Sequence, residues 1–115
     1  MADPTLDSLS RQHCKPRKGK DDGIDAGAAA AHVRALDGWQ LGDGEIHKEF
    51  RFADYFHTMA FVNLVASIAH REDHHPDLEV GYSRCRVRYS THDVGGLSLN
   101  DFICAAKIED LRHPG

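Results

Sequence analysis

The stretch from Tyr55 to His70 constrains the fold more than any other part of this chain. Apolar residues recur there at three- and four-residue steps (Tyr55, Met59, Val62, Ala66, Ala69), and Phe61, Leu64, Val65 and Ile68 widen the stripe. That period predicts a helix, and a helix this apolar needs a surface to lie on, because it cannot stand in water. Asp54 precedes it as an N-cap, and Pro76 halts the run, since the residue before a proline avoids helical geometry. The surface is legible on either side. Glu45 to Phe52 alternates, with Ile46, Phe50 and Phe52 facing one way and Glu45, His47, Glu49 and Arg51 the other. Such alternation predicts an antiparallel sheet with one covered face. His47 falls on the wet face and is given no role.

The flanks complete the pattern. Ala26 to Leu36 is alanine-rich behind Asp25, a second N-cap, and predicts a helix that Gly38-Trp39 ends, leading into a short strand through Leu41. Gly42-Asp43-Gly44 signals a hairpin turn. Beyond Pro76, Leu78, Val80 and Tyr82 alternate, a turn falls near Ser83-Arg84, and Cys85, Val87, Tyr89 and Thr91 alternate in turn. Arg86, Arg88, Ser90 and His92 take the opposite parity. Ser98 and Asp101 resemble a capping box, opening a last helix through Ile103, Ala106, Lys107 and Leu111. The expected fold is α+β, in the order α-β-β-α-β-β-α: a four-stranded antiparallel sheet with helices packed on one face.

A chain of 115 residues suits one domain, here placed at residues 25–115. Residues 1–24 are polar and rich in Lys, Arg, Asp, Gly and Pro, and are expected to form a loosely ordered arm. Its basic stretch from Arg11 to Lys20 runs straight into Asp21 and Asp22, which favours a solvated arm over a phosphate patch. A net charge of -4 argues against nucleic acid as a partner. Cys14, Cys85 and Cys104 are odd in number and widely spaced, and read as free thiols of a reducing compartment. The opening residues lack a signal-peptide pattern, and no run reaches the ~20 apolar residues of a membrane helix. A cytoplasmic location is expected, with no membrane association.

Chemistry concentrates where elements end. Asp73-His74-His75-Pro76 closes the central helix, and Ser90-Thr91-His92-Asp93-Val94-Gly95-Gly96-Leu97 carries a third histidine into a glycine-containing loop. Histidine, with an unperturbed pKa of about 6.5, both gives and takes protons near neutrality. A solvated helix terminus is the commoner meaning of an isolated His-His pair, and it suits the helix dipole. A metal site is a further reading: His70 and His74 stand four apart, with His92, Glu72 and Asp73 as added ligands, but the internal glutamate of His-Glu-x-x-His is lacking. His92 leads into a loop where backbone can approach a ligand closely, and Asp93 or Asp101 could orient an imidazole. Asp101 also has a plain structural job at the start of the last helix. A lone Trp such as Trp39 is more often core or interface than a ligand platform.

The constellation His70-x-x-x-His74-His75-Pro76, then Tyr82, His92 and Asp101, resembles the pterin-4a-carbinolamine dehydratase family. Gly38-Trp39, Phe50-x-Phe52, and Ser90-Thr91-His92-Asp93 followed by Gly95-Gly96-Leu97-Ser98 match it too, so the likeness runs from about Leu36 to Leu111. His70 departs from the glutamate common at its position. The resemblance implies dehydration of 4a-hydroxytetrahydrobiopterin to quinonoid dihydropterin and water, in tetrahydropterin recycling, without metal or cofactor. It implies catalytic roles for His74, His75 and His92, and substrate contacts from Asp73, Asp101 and Trp39. It also implies a pterin substrate, a homodimer or homotetramer, and a functional link to an aromatic amino acid hydroxylase. The alternatives are a non-catalytic dimerisation or coactivator-type binding module and, further off, a zinc-dependent hydrolase.

Overall fold

The computed structural model describes residues 3–112; residues 1–2 and 113–115, at the outer ends of the expected arm and domain, lie outside the described residues. Four antiparallel strands form one open sheet in the order β1-β2-β4-β3, with β1 at Gln40–Gly42, β2 at Glu45–Arg51, β3 at Asp77–Val80 and β4 at Arg84–Tyr89. Asp43 and Gly44 both take positive φ, 52° and 76°, the geometry of a tight hairpin turn whose twist matches that of the strands it joins. The central pair sets the two faces. Ile46 stands opposite Tyr89 and Phe50 opposite Cys85 on the covered side, while His47 faces Arg88 and Glu49 faces Arg86 on the other. The α+β layer expected from the sequence is the one observed, with one short helix added at the front.

The central helix α3 spans Tyr55–Glu72, and the Asp54 carboxylate caps it by accepting from the His57 N–H. Its buried stripe is Thr58, Phe61, Val65, Ile68 and Ala69. This corrects part of the stripe expected from the sequence: Ala69 is buried and Val62 packs on the core as expected, Tyr55 and Ala66 are exposed, and Phe61, Val65 and Ile68, taken as widening the stripe, are buried in their place. A helix apolar over much of its circumference does not reveal which side meets the sheet. Phe61 decides it, seated between Phe50 at 4.5 Å and Phe52 at 5.1 Å between ring centres; each such aromatic pair is worth about 0.5–1.5 kcal/mol beyond its burial. Thr58 is tolerated inside because its hydroxyl lies within hydrogen-bond distance of the Asp54 and Tyr82 carbonyls. Among the described residues no helix is long and apolar enough to cross a membrane.

The last helix, α4 at Leu99–Arg112, is buried on nearly every side from Asn100 to Glu109, Lys107 alone being half-buried there. One flank meets α3 and the sheet. The other is covered by α1, Leu6–Ser10, whose Leu9 is 1% exposed within the core. The stretch expected to be a loosely ordered arm is therefore anchored to the domain at intervals, through Leu6, Leu9, Cys14 and Ile24, while most of its described residues stay exposed. Its composition does disfavour a core of its own, but α4 supplies one ready-made. The polar residues are held by partners far along the chain. The Cys14 N–H donates to Glu72 Oε1 at 2.7 Å, and Asn100 exchanges hydrogen bonds with both backbone groups of Lys15. Lys107 Nζ donates to the Ser10 carbonyl at 2.7 Å. A second helix, α2 at Ala26–Arg34, starts at Asp25 as expected, its carboxylate accepting from Ala28.

Glu72 is the acidic anchor of this packing, with its side chain 6% exposed. Burial alone would raise its carboxyl, but the Cys14 N–H, the His13 ring and the Lys107 ammonium outweigh that and hold it below its ordinary value of 4.5. A carboxyl lowered in the folded state stabilises above its unfolded value, and that stabilisation is lost as pH falls through the folded one. Hydrogen exchange is expected to show residues 9–17 protected above pH 4.5 and progressively opened below it. Glu72→Ala is expected to open them at neutral pH while β2 and β4 stay protected. Equal protection in both proteins would show that Glu72 does not anchor the arm.

Candidate active site

The end of α3 is set by Asp73, not by Pro76 itself. Asp73 sits in the left-handed region at φ 49°, and its N–H and that of His74 both turn back to the Ala69 carbonyl. Aspartate tolerates this conformation better than most residues. The reversal carries the His74 ring under the end of β4 and against α4. There Nε2 meets Asp101 Oδ1 at 2.6 Å, and the ring stacks on Tyr89 with centres 5.8 Å apart and planes 9° from parallel.

Asp101 has no exposed side-chain surface. Its other oxygen, Oδ2, accepts from the Thr91 hydroxyl at 2.8 Å and from the Ser98 N–H at 2.9 Å. The expected capping box is thus half formed: the carboxylate reaches back to the Ser98 N–H, but the Ser98 hydroxyl turns to Thr91 at 2.7 Å and accepts from the Asn100 N–H. Thr91 has one proton and spends it on Asp101, so Ser98 donates to Thr91. A carboxylate only accepts, so the shared proton on the histidine belongs to Nε2. Nδ1 has no hydrogen-bond partner among the described residues and is not sealed from solvent. In the neutral ring it is an acceptor, and in the charged ring a donor.

The side chains of the other two histidines have no hydrogen-bond partner among the described residues. His75 follows His74 and is exposed. His92 is exposed at the start of a short 3-10 turn, His92–Val94, that Gly95 closes at φ 73°. Strand parity therefore stops short of His92, since the strand ends at Tyr89. The turn is held from outside by the arm, whose Gly19 N–H donates to the Asp93 carbonyl. Asp73, His74, His75, Ser90, Thr91, His92 and Asp93 together line a shallow, open cleft of about 250 Å³. A second cleft of about 270 Å³ shares Asp73, His74, Thr91 and Asp93 with the first and is walled on its far side by Cys14, Lys15 and Arg17.

Of the expected site residues, the structure gathers His74, His75, His92 and Asp73 around one cleft. Asp101 lies behind it, too buried to touch a ligand, so its place is as the partner that orients His74 and not as a substrate contact. Trp39 is not brought to the site. Its ring is 5% exposed among Phe50 and Tyr89, and its N–H donates to Glu109 at 3.0 Å, so the expected substrate contact is corrected to a core position. Among the described residues no three His, Cys, Asp or Glu side chains come together as a metal site. Sequence reading missed Thr91, Ser98 and Tyr89 as supports of His74. Their signal was present in the Ser98-x-x-Asp101 box, but the box does not say what else the carboxylate holds. Burial, reinforced by Cys104, Cys14 and Asp101 nearby, pushes the Tyr89 phenol well above its ordinary value, so it serves as a neutral platform.

Known proteins resemble this chain over most of its length. Residues 23–111 match the family model described as pterin 4 alpha carbinolamine dehydratase. A protein of Nitrosospira multiformis, provisionally named pterin-4-alpha-carbinolamine dehydratase, is 53% identical over 109 residues, covering 95% of this chain and 96% of its own. One from Xanthomonas oryzae with the same provisional name is 56% identical, covering 93% and 92%. A crystal structure from Brucella melitensis, described as a transcriptional coactivator/pterin dehydratase, superposes with a TM-score of 0.73 at 31% identity, covering 76% of this chain and 95% of that one.

The Asp101 joint is open to a direct check. Asp101→Asn places an amide donor against either the Ser98 N–H and Thr91 hydroxyl or the His74 N–H. It is expected to cost about 1–3 kcal/mol in urea denaturation. Nitrogen NMR of the unmodified protein is expected to show neutral His74 protonated at Nε2. Finding the Nδ1-protonated form would break the arrangement described.

Proposed function

This chain belongs to the pterin-4a-carbinolamine dehydratase family, and on that premise we propose that it dehydrates 4a-hydroxytetrahydropterin to quinonoid dihydropterin and water by histidine acid–base catalysis. The C4a–O bond breaks, the hydroxyl leaves with an added proton as water, N5 gives up its proton, and a C4a=N5 double bond forms. One proton is delivered and one is taken, so nothing but positioned acid–base groups is required, worth roughly 10²–10⁴-fold.

The observation that carries this reading is the set of three imidazoles around one cleft, one of them oriented by a buried carboxylate. With Nε2–H committed to Asp101, His74 exchanges protons through Nδ1. His74 and His92 deliver the proton to the departing hydroxyl, and His75 orients the pterin and shares the proton traffic. Asp73, exposed on the cleft rim, offers an acceptor to the pterin's polar edge. An aromatic amino acid hydroxylase is the class of enzyme whose reaction leaves this adduct, which places the activity in tetrahydropterin recycling. The description of the Brucella protein also names a coactivator, so a binding-only role is the competing reading.

Self-association belongs to the same proposal. β3 leaves one sheet edge open, and Val80, Tyr82, Tyr55 and Phe56 are large exposed apolar side chains on or near it, with Tyr55 stacked on Tyr82. Sedimentation is expected to report a dimer or tetramer that Tyr82→Asp weakens. A monomer at every concentration would remove this part of the reading.

The deciding assay follows the ultraviolet decay of freshly generated 4a-hydroxytetrahydropterin. Added protein is expected to accelerate decay equally with and without chelator, and His74→Ala and His92→Ala each to lose roughly 10²–10⁴-fold. No acceleration by folded protein would move the binding-only reading to the front, and loss of rate in chelator would point to a metal hydrolase.

A further inference from the structure

We propose that Cys14 and Cys104 are a site of reversible oxidation, where a hydroperoxide converts the two thiols into a disulfide that fastens the N-terminal arm to α4. Although 90 positions apart in sequence, their sulfurs lie 3.5 Å from each other. A disulfide bond is about 2.05 Å long, so closing it asks for a further approach of about 1.5 Å. Cys14 is the side that makes that movement, because it is half-buried while Cys104 lies in the core at 0% exposure. Cys14 is half-buried and already directed at the same face of α4, its thiol also 3.6 Å from the Asn100 carbonyl. Its backbone is tethered by Glu72, so the pair is not a chance grazing of a loose segment.

The two thiols are suited to different halves of the reaction. Cys14 lines the cleft it shares with Asp73 and His74, and meets a small oxidant there. Its thiolate attacks one peroxide oxygen, the O–O bond breaks, and the second oxygen leaves and is protonated as an alcohol. Cys14 becomes a sulfenic acid. The Cys104 sulfur then attacks the Cys14 sulfur, forming the S–S bond, and the sulfenic hydroxyl departs with the Cys104 proton as water. The two thiols lose two electrons, which the O–O bond takes up, giving disulfide, alcohol and water. The hydrogen bond with Cys14, with burial, raises the Cys104 thiol, so Cys14 is the sulfur oxidised first and Cys104 the one that resolves it, giving its proton to the departing hydroxyl as it attacks. Cys85 is a free, buried cysteine on β4 with no sulfur within hydrogen-bond distance among the described residues, and stands as an internal control.

Treating the folded full-length chain with tert-butyl hydroperoxide, then alkylating and measuring the intact mass, tests this directly. The expected product has lost two hydrogens, yields one peptide joining positions 14 and 104, and reverts in dithiothreitol. Its Tm is expected to rise by about 10–20 °C, since the crosslink closes a long loop. Cys104→Ala is expected to stop at a Cys14 sulfenic acid that dimedone traps, and Cys14→Ser, in the arm, to show no loss of hydrogens. Cys85→Ala is expected to behave as the unmodified chain. Oxygen added without hydrogen loss, a crosslink between two chains, or no reaction at all would overturn the proposal.

Discussion

The carboxylate of Asp101 is the joint on which the site depends. It ties the exit of α3 through His74, the end of β4 through Thr91, and the start of α4 through the Ser98 N–H. Burying such a charge without partners costs several kcal/mol, so three donors converging on one carboxylate is a condition of its presence there. Because each donor comes from a different element, the hydrogen bonds that make burial tolerable also fix where those elements stop. The position of His74 is therefore a property of the fold.

That rigidity is uneven across the cleft. His74 is clamped between Tyr89 and Asp101, with 11% of its side chain exposed. His75 and His92 are exposed and lie on chain that is turning, one beyond a left-handed cap and the other in a 3-10 turn. One imidazole with a defined tautomer beside two that can reorient suits a reaction that moves one proton in and another out. The neutral Tyr89 ring adds a flat support beneath His74.

Burial of α4 organises the opposite side of the molecule. The sheet and α3 cover only part of it, and the arm completes the cover through Leu9, with Glu72, Asn100 and Lys107 holding the arm's polar backbone. The same arrangement puts Cys14 against Cys104 and makes Lys15 and Arg17 the far wall of the second cleft. The arm is thus joined to the site from two directions, by sharing a wall with His74 and by holding the His92 turn through Gly19.

Much of this was legible in the chain. Alternation at Glu45–Arg51 and Arg84–Tyr89, the caps at Asp25 and Asp54, and the Asp43-Gly44 turn are local signals, each set by a few neighbouring residues, and they specified the elements and the α+β layer. The adjacency of His74 and His75 to a helix end, and of His92 to a glycine loop, was equally local. What the sequence could not settle was which of several apolar stripes of α3 meets the sheet, whether the polar arm docks, that Trp39 points into the core, and that Asp101 stands behind His74 and not before the ligand. Each of these depends on contacts between residues tens of positions apart, such as His13 with Glu72 or Trp39 with Glu109. Local propensity carries no information about them, because only the packed tertiary structure decides which distant surfaces and buried charges satisfy one another.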